Sequence, residues 1–204
     1  MSDRTMWEIE DNCTARGYKL ICGVDEAGRG PLAGPVCAAA VILPAEVPFE
    51  GLNDSKKLSD KRRRELYPLI MEHAVAYSVV FADEKEIDEI NILQATLQAM
   101  SRAVEGLSCE PDYVLVDGNK LPKLDAEAEA VVHGDSLSAS IAAASILAKV
   151  SRDDYMLQMD EKYPEYGFAV HKGYGTKAHY AALSEHGPCP IHRMTFLKNL
   201  YGTE

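Results

Sequence analysis

The sequence predicts an α/β fold: a mixed sheet with helices packed on its faces and a short helical region at the C-terminal end. Three observations lead there. Two apolar segments come early and close together, separated by a turn rich in glycine and proline. Amphipathic helical stretches and further short strands then alternate along the chain, the order expected of helices covering a sheet. The composition supplies a core, since 47% of the 204 residues are hydrophobic and 26% charged, values typical of a globular protein. One domain over residues 1–204 is sufficient, and at this length it should bury roughly 70% of the surface its unfolded chain exposes.

Lys19 to Asp25 and Pro35 to Leu43 are rich in Ile, Val, Ala and Cys and read as a buried hairpin whose turn is Gly28 to Gly34. A loop from Pro44 to Leu58 leads to Ser59, the N-cap of a helix through about His73 with Leu66, Leu69 and Ile70 on its apolar side. Ala74 to Phe81 is a third strand. Asp83 and Glu86 have capping-box spacing, and Ile87, Ile90, Leu93, Leu97, Met100 and Val104 recur every three or four residues up to Gly106. They predict a long amphipathic helix with a break near Asn91. Tyr113 to Val116 and Ala130 to His133 read as two more strands. Ser138 to about Tyr163 reads as a helix ending before Pro164, and its almost wholly apolar first half predicts a central, buried position. Thr176 caps a last clear helix ending near Gly187, and a tail follows from Pro188.

Cys13, Cys22, Cys37, Cys109 and Cys189 form no CxxC pair and no Cys/His cluster, which argues against a disulfide framework or a structural zinc site and fits a reducing cytoplasm. The N-terminus, with Asp3, Glu8, Glu10 and Asp11, lacks the basic and apolar regions of a signal peptide, and the apolar runs are too short to span a bilayer. The net charge of -11 argues against a tight, nonspecific binder of nucleic acid, which usually relies on a basic surface. It bears less on an enzyme that holds a few phosphates through metal ions and a local group of cations.

The chemistry begins at Val24-Asp25-Glu26-Ala27-Gly28-Arg29-Gly30, where two carboxylates end an apolar strand. In an ideal strand Asp25 and Glu26 point to opposite faces, so they can share a metal only if the strand stops here. A second acidic strand end is Val116-Asp117-Gly118, and a third candidate, Gly134-Asp135-Ser136, precedes the apolar helix. Taken singly, each has an ordinary reading as a turn or a helix cap. Taken together, they place Asp25, Glu26, Asp117 and Asp135 at one edge of a small sheet. Two unit charges 4 Å apart repel by roughly 1 kcal/mol in water and about 4 kcal/mol at an effective dielectric of 20. Such a group either protonates or binds a cation, and oxygen-only ligands favour magnesium or manganese.

Asp25 to Gly30, continued by Pro31, Leu32, Ala33 and Gly34, resembles the signature of ribonuclease HII. The likeness runs on through Asn53-Asp54-Ser55-Lys56-Lys57-Leu58, Val116-Asp117-Gly118, Gly134-Asp135, the run from Ile141 to Val150, Arg152-Asp153 and His171-Lys172-Gly173-Tyr174-Gly175-Thr176. It spans about Gly23 to Phe196. The related ribonuclease HIII differs in the glycine-arginine tripeptide, which favours HII.

The resemblance implies a ribonuclease-H-like fold in which Asp25, Glu26, Asp117 and Asp135 are the catalytic and metal-binding acids. It implies that Gly28, Arg29 and Gly30 recognise the junction between a ribonucleotide and the next deoxynucleotide, with Tyr174 stacked beside it. The expected partners are RNA/DNA hybrids and duplex DNA containing ribonucleotides, cut by a monomer using two metal ions. Lys56, Lys57 and Lys172 are candidate phosphate contacts, weighed evenly against ordinary solvated loop residues. The run Lys61, Arg62, Arg63 and Arg64 is better read as a solvated helix face. His171 and His192 stay outside the catalytic set, because two-metal chemistry requires no histidine proton carrier. Two competing expectations remain: a nuclease of the same fold acting on DNA junctions, and a noncatalytic nucleic-acid-binding protein.

Overall fold

A computed structural model describes residues 4–201. Among them the strands are β1 (Ile21–Ala27), β2 (Val36–Ile42), β3 (Ala76–Ala82), β4 (Tyr113–Asp117) and β5 (Glu127–Val131). The α-helices, in chain order, are α1 (Glu8–Ala15), α2 (Asp60–His73), α3 (Glu84–Glu105), α4 (Ala139–Lys162), α5 (Phe168–His171), α6 (Lys177–His186) and α7 (Lys198–Tyr201). The strands form one mixed sheet in the order β3-β2-β1-β4-β5. β1, β2 and β3 pair antiparallel, and β1, β4 and β5 run parallel. The α/β reading of the sequence is therefore what the chain forms, including the short helical C-terminal region. No helix among the described residues is long and apolar enough to cross a membrane.

Strand alternation sorts the core into two layers. Cys22, Val24, Ala38, Ala40, Val114 and Val116 face α3, which presents Ala95, Ala99, Met100 and Ala103. Cys37, Ala39 and Val41 face the other way, onto α4 and α2. α4 lies so close to β1 that a Cβ at Gly23 would come within 2.1 Å of the Ser140 carbonyl carbon. This contact explains the apolar first half of α4: Ala139 to Ala148 are all buried.

The predicted helix starts hold at the atomic level, because Ser59, Asp83, Ser138 and Thr176 each accept a hydrogen bond from a backbone N–H in the first turn. The break in α3 is also present. Asn91 adopts φ 68° and ψ 160°, and its carboxamide oxygen accepts from the N–H groups of Leu93 and Gln94, capping the second half.

The last strand differs from the reading of Ala130 to His133. β5 is Glu127–Val131, and the chain leaves it at once, with His133 left-handed at φ 59°. The strand sits at the sheet edge and alternates Glu and Ala, so the apolar pair Val131-Val132 marked its end. Three α-helices, α1, α5 and α7, lie outside the helical segments read from the sequence. α1 packs through Cys13 beside Ile21, Tyr113, Leu115 and Ile141. The supposed tail from Pro188 is built into the fold, with Ile191 and Leu197 buried in a C-terminal core beside Leu32, Met156, Tyr166 and Phe168.

Candidate active site

Because β1, β4 and β5 are parallel, their carboxyl ends share one edge, the usual ligand-binding edge of open α/β sheets. Val24 pairs with Val116, so Asp25 and Asp117 are the next residues on neighbouring strands. Asp135 follows β5 in a 3-10 turn, Gly134–Ser136, whose first N–H donates to Asp117 Oδ1 at 2.7 Å. One carboxylate oxygen from each of Asp25, Asp117 and Asp135 lies within 4.8 Å of the others. Asp25 and Asp135 are buried.

Glu26 stands apart from this group of three. β1 does not stop at Asp25: its ladder with β2 continues through Glu26 and Ala27, opposite Ala38 and Cys37. Alternation then sends Asp25 toward α4 and Glu26 toward the other face. Glu26 stays close to the site, however, and Arg29 lies 3.5 Å from its Oε1.

Electrostatically the edge is under strain. Burial first, then Glu26 and Asp117, push the Asp25 carboxyl well above the ordinary carboxylate range. The Glu26 N–H, at 2.7 Å from Asp25 Oδ1, and the Ser145 hydroxyl pull it partly back. Burial, helped by Asp117 and Asp54, also raises Asp135 against the opposing Lys56. Glu26 is raised mainly by burial, with Arg29 opposing. A divalent cation would relieve this repulsion, and the donor set of buried carboxylate oxygens fits a hard ion such as magnesium or manganese.

Residues missed by the sequence reading shape the edge from behind. Ser145, on α4, donates to Ser55 Oγ at 2.6 Å, both serines being buried, and its hydroxyl also helps to lower the Asp25 carboxyl. A serine within the otherwise apolar run from Ile141 to Ala148 was the available signal. Glu10 of α1 is also buried, and its Oε1 accepts from the Ser138 hydroxyl at 2.7 Å and the Ser140 N–H at 2.9 Å. It thereby fixes the start of α4, immediately after the turn that carries Asp135.

The candidate cations divide. Lys56 Nζ lies 3.5 Å from Asp135 Oδ2, and Lys57 Nζ donates to Ser136 Oγ at 2.9 Å, so both border the acids. Burial opposes the Lys56 charge, but Asp135, Asp25 and Asp54 together hold its pKa above the ordinary lysine value. Lys172 is different. Its ammonium hydrogen-bonds the Ala169 carbonyl within its own turn. Arg62, Arg63 and Arg64 make local ion pairs with Glu65, Asp60 and Asp154.

Beside the acids, the loop after β1 is held by two fully buried arginines. Arg193 donates to the carbonyls of Gly34 (2.8 Å), Arg29 (2.9 Å) and Gly28 (2.6 Å). Arg152 donates to those of Pro35 (2.9 Å), Ala33 (3.1 Å) and Lys172 (3.1 Å). Burial, then Arg152, pull the Arg193 guanidinium down to about 9, so it stays charged at neutral pH. Gly28, at φ +96°, lies on Arg152, where a Cβ would come within 1.9 Å of Nε. Backbone hydrogen bonds from Leu32 to Gly173 and from Gly34 to Ile191 complete the frame, both 2.8 Å. The half-exposed Tyr174 ring lies over Gly30, 3.6 Å from where a Cβ would be.

Similarity to known proteins runs along most of the chain. The family model described as Ribonuclease HII matches residues 22–199. The chain is 55% identical over 198 residues to a ribonuclease HII of Caldicellulosiruptor bescii, covering 97% of this chain and 96% of that protein. It is 60% identical over 178 residues to ribonuclease HII 1 of Methylibium petroleiphilum, covering 87% and 90%. Among solved structures, the ribonuclease H2 of Pyrococcus horikoshii superimposes with a TM-score of 0.70 at 28% identity, over 86% of this chain and 92% of that one. With its acids gathered at the carboxyl edge of a mixed sheet and the family match running from β1 to α7, the chain belongs to the ribonuclease HII family.

Proposed function

We propose that this ribonuclease H cuts the RNA strand of RNA/DNA hybrids and incises duplex DNA on the 5′ side of single embedded ribonucleotides, leaving 5′-phosphate and 3′-hydroxyl ends. The observation that carries the reading is the juxtaposition of Asp25, Asp117 and Asp135 with the loop from Gly28 to Gly30. One element holds a scissile phosphate, and the other inspects the sugar beside it.

Asp25, Asp117 and Asp135 are assigned as the acids that hold divalent metal, with Glu26 as a fourth at the border. Bound there, a pair of magnesium or manganese ions would supply activation of water for in-line attack and neutralisation of the leaving 3′-oxygen. The protein's own part is to hold the carboxylates in place before substrate arrives, through Ser145, the Glu26 N–H and the Gly134 N–H. Lys56 and Lys57, beside Asp135 and Ser136, are assigned to neighbouring phosphates.

Attack by water leaves the 2′-hydroxyl unused as a nucleophile, so selectivity for RNA comes from recognition. Gly28, Arg29 and Gly30 are assigned to that hydroxyl, and Tyr174 to stacking on the adjoining sugar or base. A preformed polar site left unpaired by a deoxy substrate discriminates by roughly 10⁴ to 10⁵. The test is cleavage of a labelled DNA duplex containing one ribonucleotide, beside an all-DNA control and a full hybrid, with magnesium, manganese or EDTA. Metal-dependent incision 5′ of the ribonucleotide, with the all-DNA duplex intact, is the expected result. Folded protein that cuts neither RNA-containing duplex would overturn the reading.

A further inference from the structure

Three histidines lie buried behind the loop that carries Tyr174, and their protonation is dictated by their surroundings. The Tyr174 carbonyl fixes one end, since it can only accept, and the Cys189 backbone meets the other. His192 Nδ1 lies 2.9 Å from the Cys189 N–H and 3.2 Å from the Cys189 carbonyl and Sγ; the shorter N–H contact makes Nδ1 the acceptor and puts the hydrogen on Nε2. His192 Nε2 lies 2.9 Å from His179 Nε2, which must then accept. His179 Nδ1 is left as the donor, and it faces the Tyr174 carbonyl at 3.0 Å. His171 follows the same logic: it accepts from the Gly173 N–H at Nδ1 (3.2 Å) and donates from Nε2 to the Tyr166 carbonyl at 2.8 Å. His171 and His179 stack with centroids 4.5 Å apart.

We propose that His179 and His192 form a neutral relay that sets the position of Tyr174, and that they are positioning residues for recognition of the ribonucleotide junction. The role of Tyr174 in this statement rests on the substrate reading above. The relay runs from the Cys189 N–H through both imidazoles to the Tyr174 carbonyl, so it joins the C-terminal segment to the loop that packs over Gly30. The segment from His171 to Tyr174 needs such support, since Lys172 and Gly173 both adopt positive φ, 50° and 84°. The fixed tautomers also explain why these histidines lie near the site without touching the acids: they act on the main chain of the loop and not on a proton of the substrate.

Two measurements test the relay. Imidazole ¹⁵N spectra of the wild-type protein at neutral pH should show His179 protonated at Nδ1, and His171 and His192 at Nε2. The opposite tautomer at His179, or a charged His179, overturns the proposal. The second is a double-mutant cycle on the single-ribonucleotide duplex with His179→Leu, Tyr174→Ala and the double variant. His179→Leu should lower kcat/KM about tenfold when Tyr174 is present and much less when it is alanine, a coupling of the size contacting residues show.

His179→Asn, which keeps an N–H donor near the Nδ1 position, should recover most of the loss. Equal losses in both backgrounds would reduce the histidines to general packing and overturn the proposal. If His179→Leu does not fold, His192→Leu serves in the same cycle. Amide exchange separates this inference from the substrate reading. Loss of the relay should speed exchange at Thr176, whose N–H donates to the Tyr174 carbonyl at 2.8 Å, whether or not any duplex is cut. Unchanged exchange there would count against the relay even in an active enzyme.

Discussion

At the carboxyl edge of the sheet, Asp25, Asp117 and Asp135 crowd within 4.8 Å of one another, with the exposed Lys56 as the cation paired to Asp135. The loop beside them, Gly28 to Pro35, is instead held by six charge-assisted hydrogen bonds from Arg152 and Arg193, five of them to carbonyls of the loop itself. The edge is under-compensated and stable only because the rest of the fold imposes it. The loop is complete without any ligand. Under the proposed function the contrast is a division of labour: charge is left open where a cation would enter, and geometry is closed where a hydroxyl would be measured. Preorganised recognition of this kind avoids the ordering entropy a flexible loop would lose on binding.

Asp117→Asn breaks the edge most directly. It should fold normally, since it removes a repelling charge, yet lower cleavage by on the order of 10³-fold, about 4 kcal/mol of transition-state stabilisation. The wild-type protein should also melt several degrees higher with saturating manganese than with EDTA, and that difference should shrink in the variant. A folded Asp117→Asn enzyme with wild-type turnover would refute the assignment.

Arg193→Ala attacks the other region. It leaves three carbonyls without this donor, and for the buried one, that of Gly34, the loss is about 1 to 3 kcal/mol. The urea midpoint should fall clearly, and discrimination between the single-ribonucleotide duplex and all-DNA should drop, while manganese still raises the melting temperature. Arg193→Lys should rescue little, because an ammonium cannot reproduce the planar fork. Loss of the manganese effect in the Arg193 variants would show that the two regions are not separable.

Ser145→Ala is the finer probe of the edge. Removing a polar group that supports a metal-binding carboxylate typically weakens metal affinity by about 10- to 100-fold, so more magnesium should be needed for half-maximal cleavage. Unaltered magnesium dependence would show that Ser145 only packs.

The smallest expected effect is on stability against pH, and it has opposite signs in the two regions. Burial, then His179, lower His192 from the ordinary 6.5 to about 4. Its contribution to stability is therefore present above about pH 6.5 and is lost as the pH falls toward 4. Asp25 is raised, so acidification relieves it. Chemical denaturation of the metal-free protein across this window should show the histidine loss flattened in His192→Gln, and a curve unchanged by that substitution would contradict the assignment.

Much of this was legible in the sequence because it is local. Strand ends bearing acids, N-caps at Ser59, Asp83, Ser138 and Thr176, and the break at Asn91 each depend on residues a few positions apart. The illegible parts are those fixed by distant partners. Arg193 lies in a stretch without periodicity, and its role exists only once Gly28 is beside it. Glu10 looked like one more acid in a charged N-terminus until α4 supplied Ser138 and Ser140. Whether β1 stops at Asp25 or runs on through Glu26 depends on its pairing with β2, which the local sequence does not state. β5 was misplaced because an edge strand needs little apolar surface.

The reach of Arg193 back to Gly28 also has a meaning in time. The acids at positions 25, 117 and 135 have all been synthesised well before residue 193, and α4, against which they are set, ends at Lys162. The loop from Gly28 to Gly34 must wait for a contact across 165 residues. As the chain is made from its N-terminus, the acids can be set against α4 before Arg193 arrives, so under the proposed function the cutting edge would assemble ahead of the selecting loop.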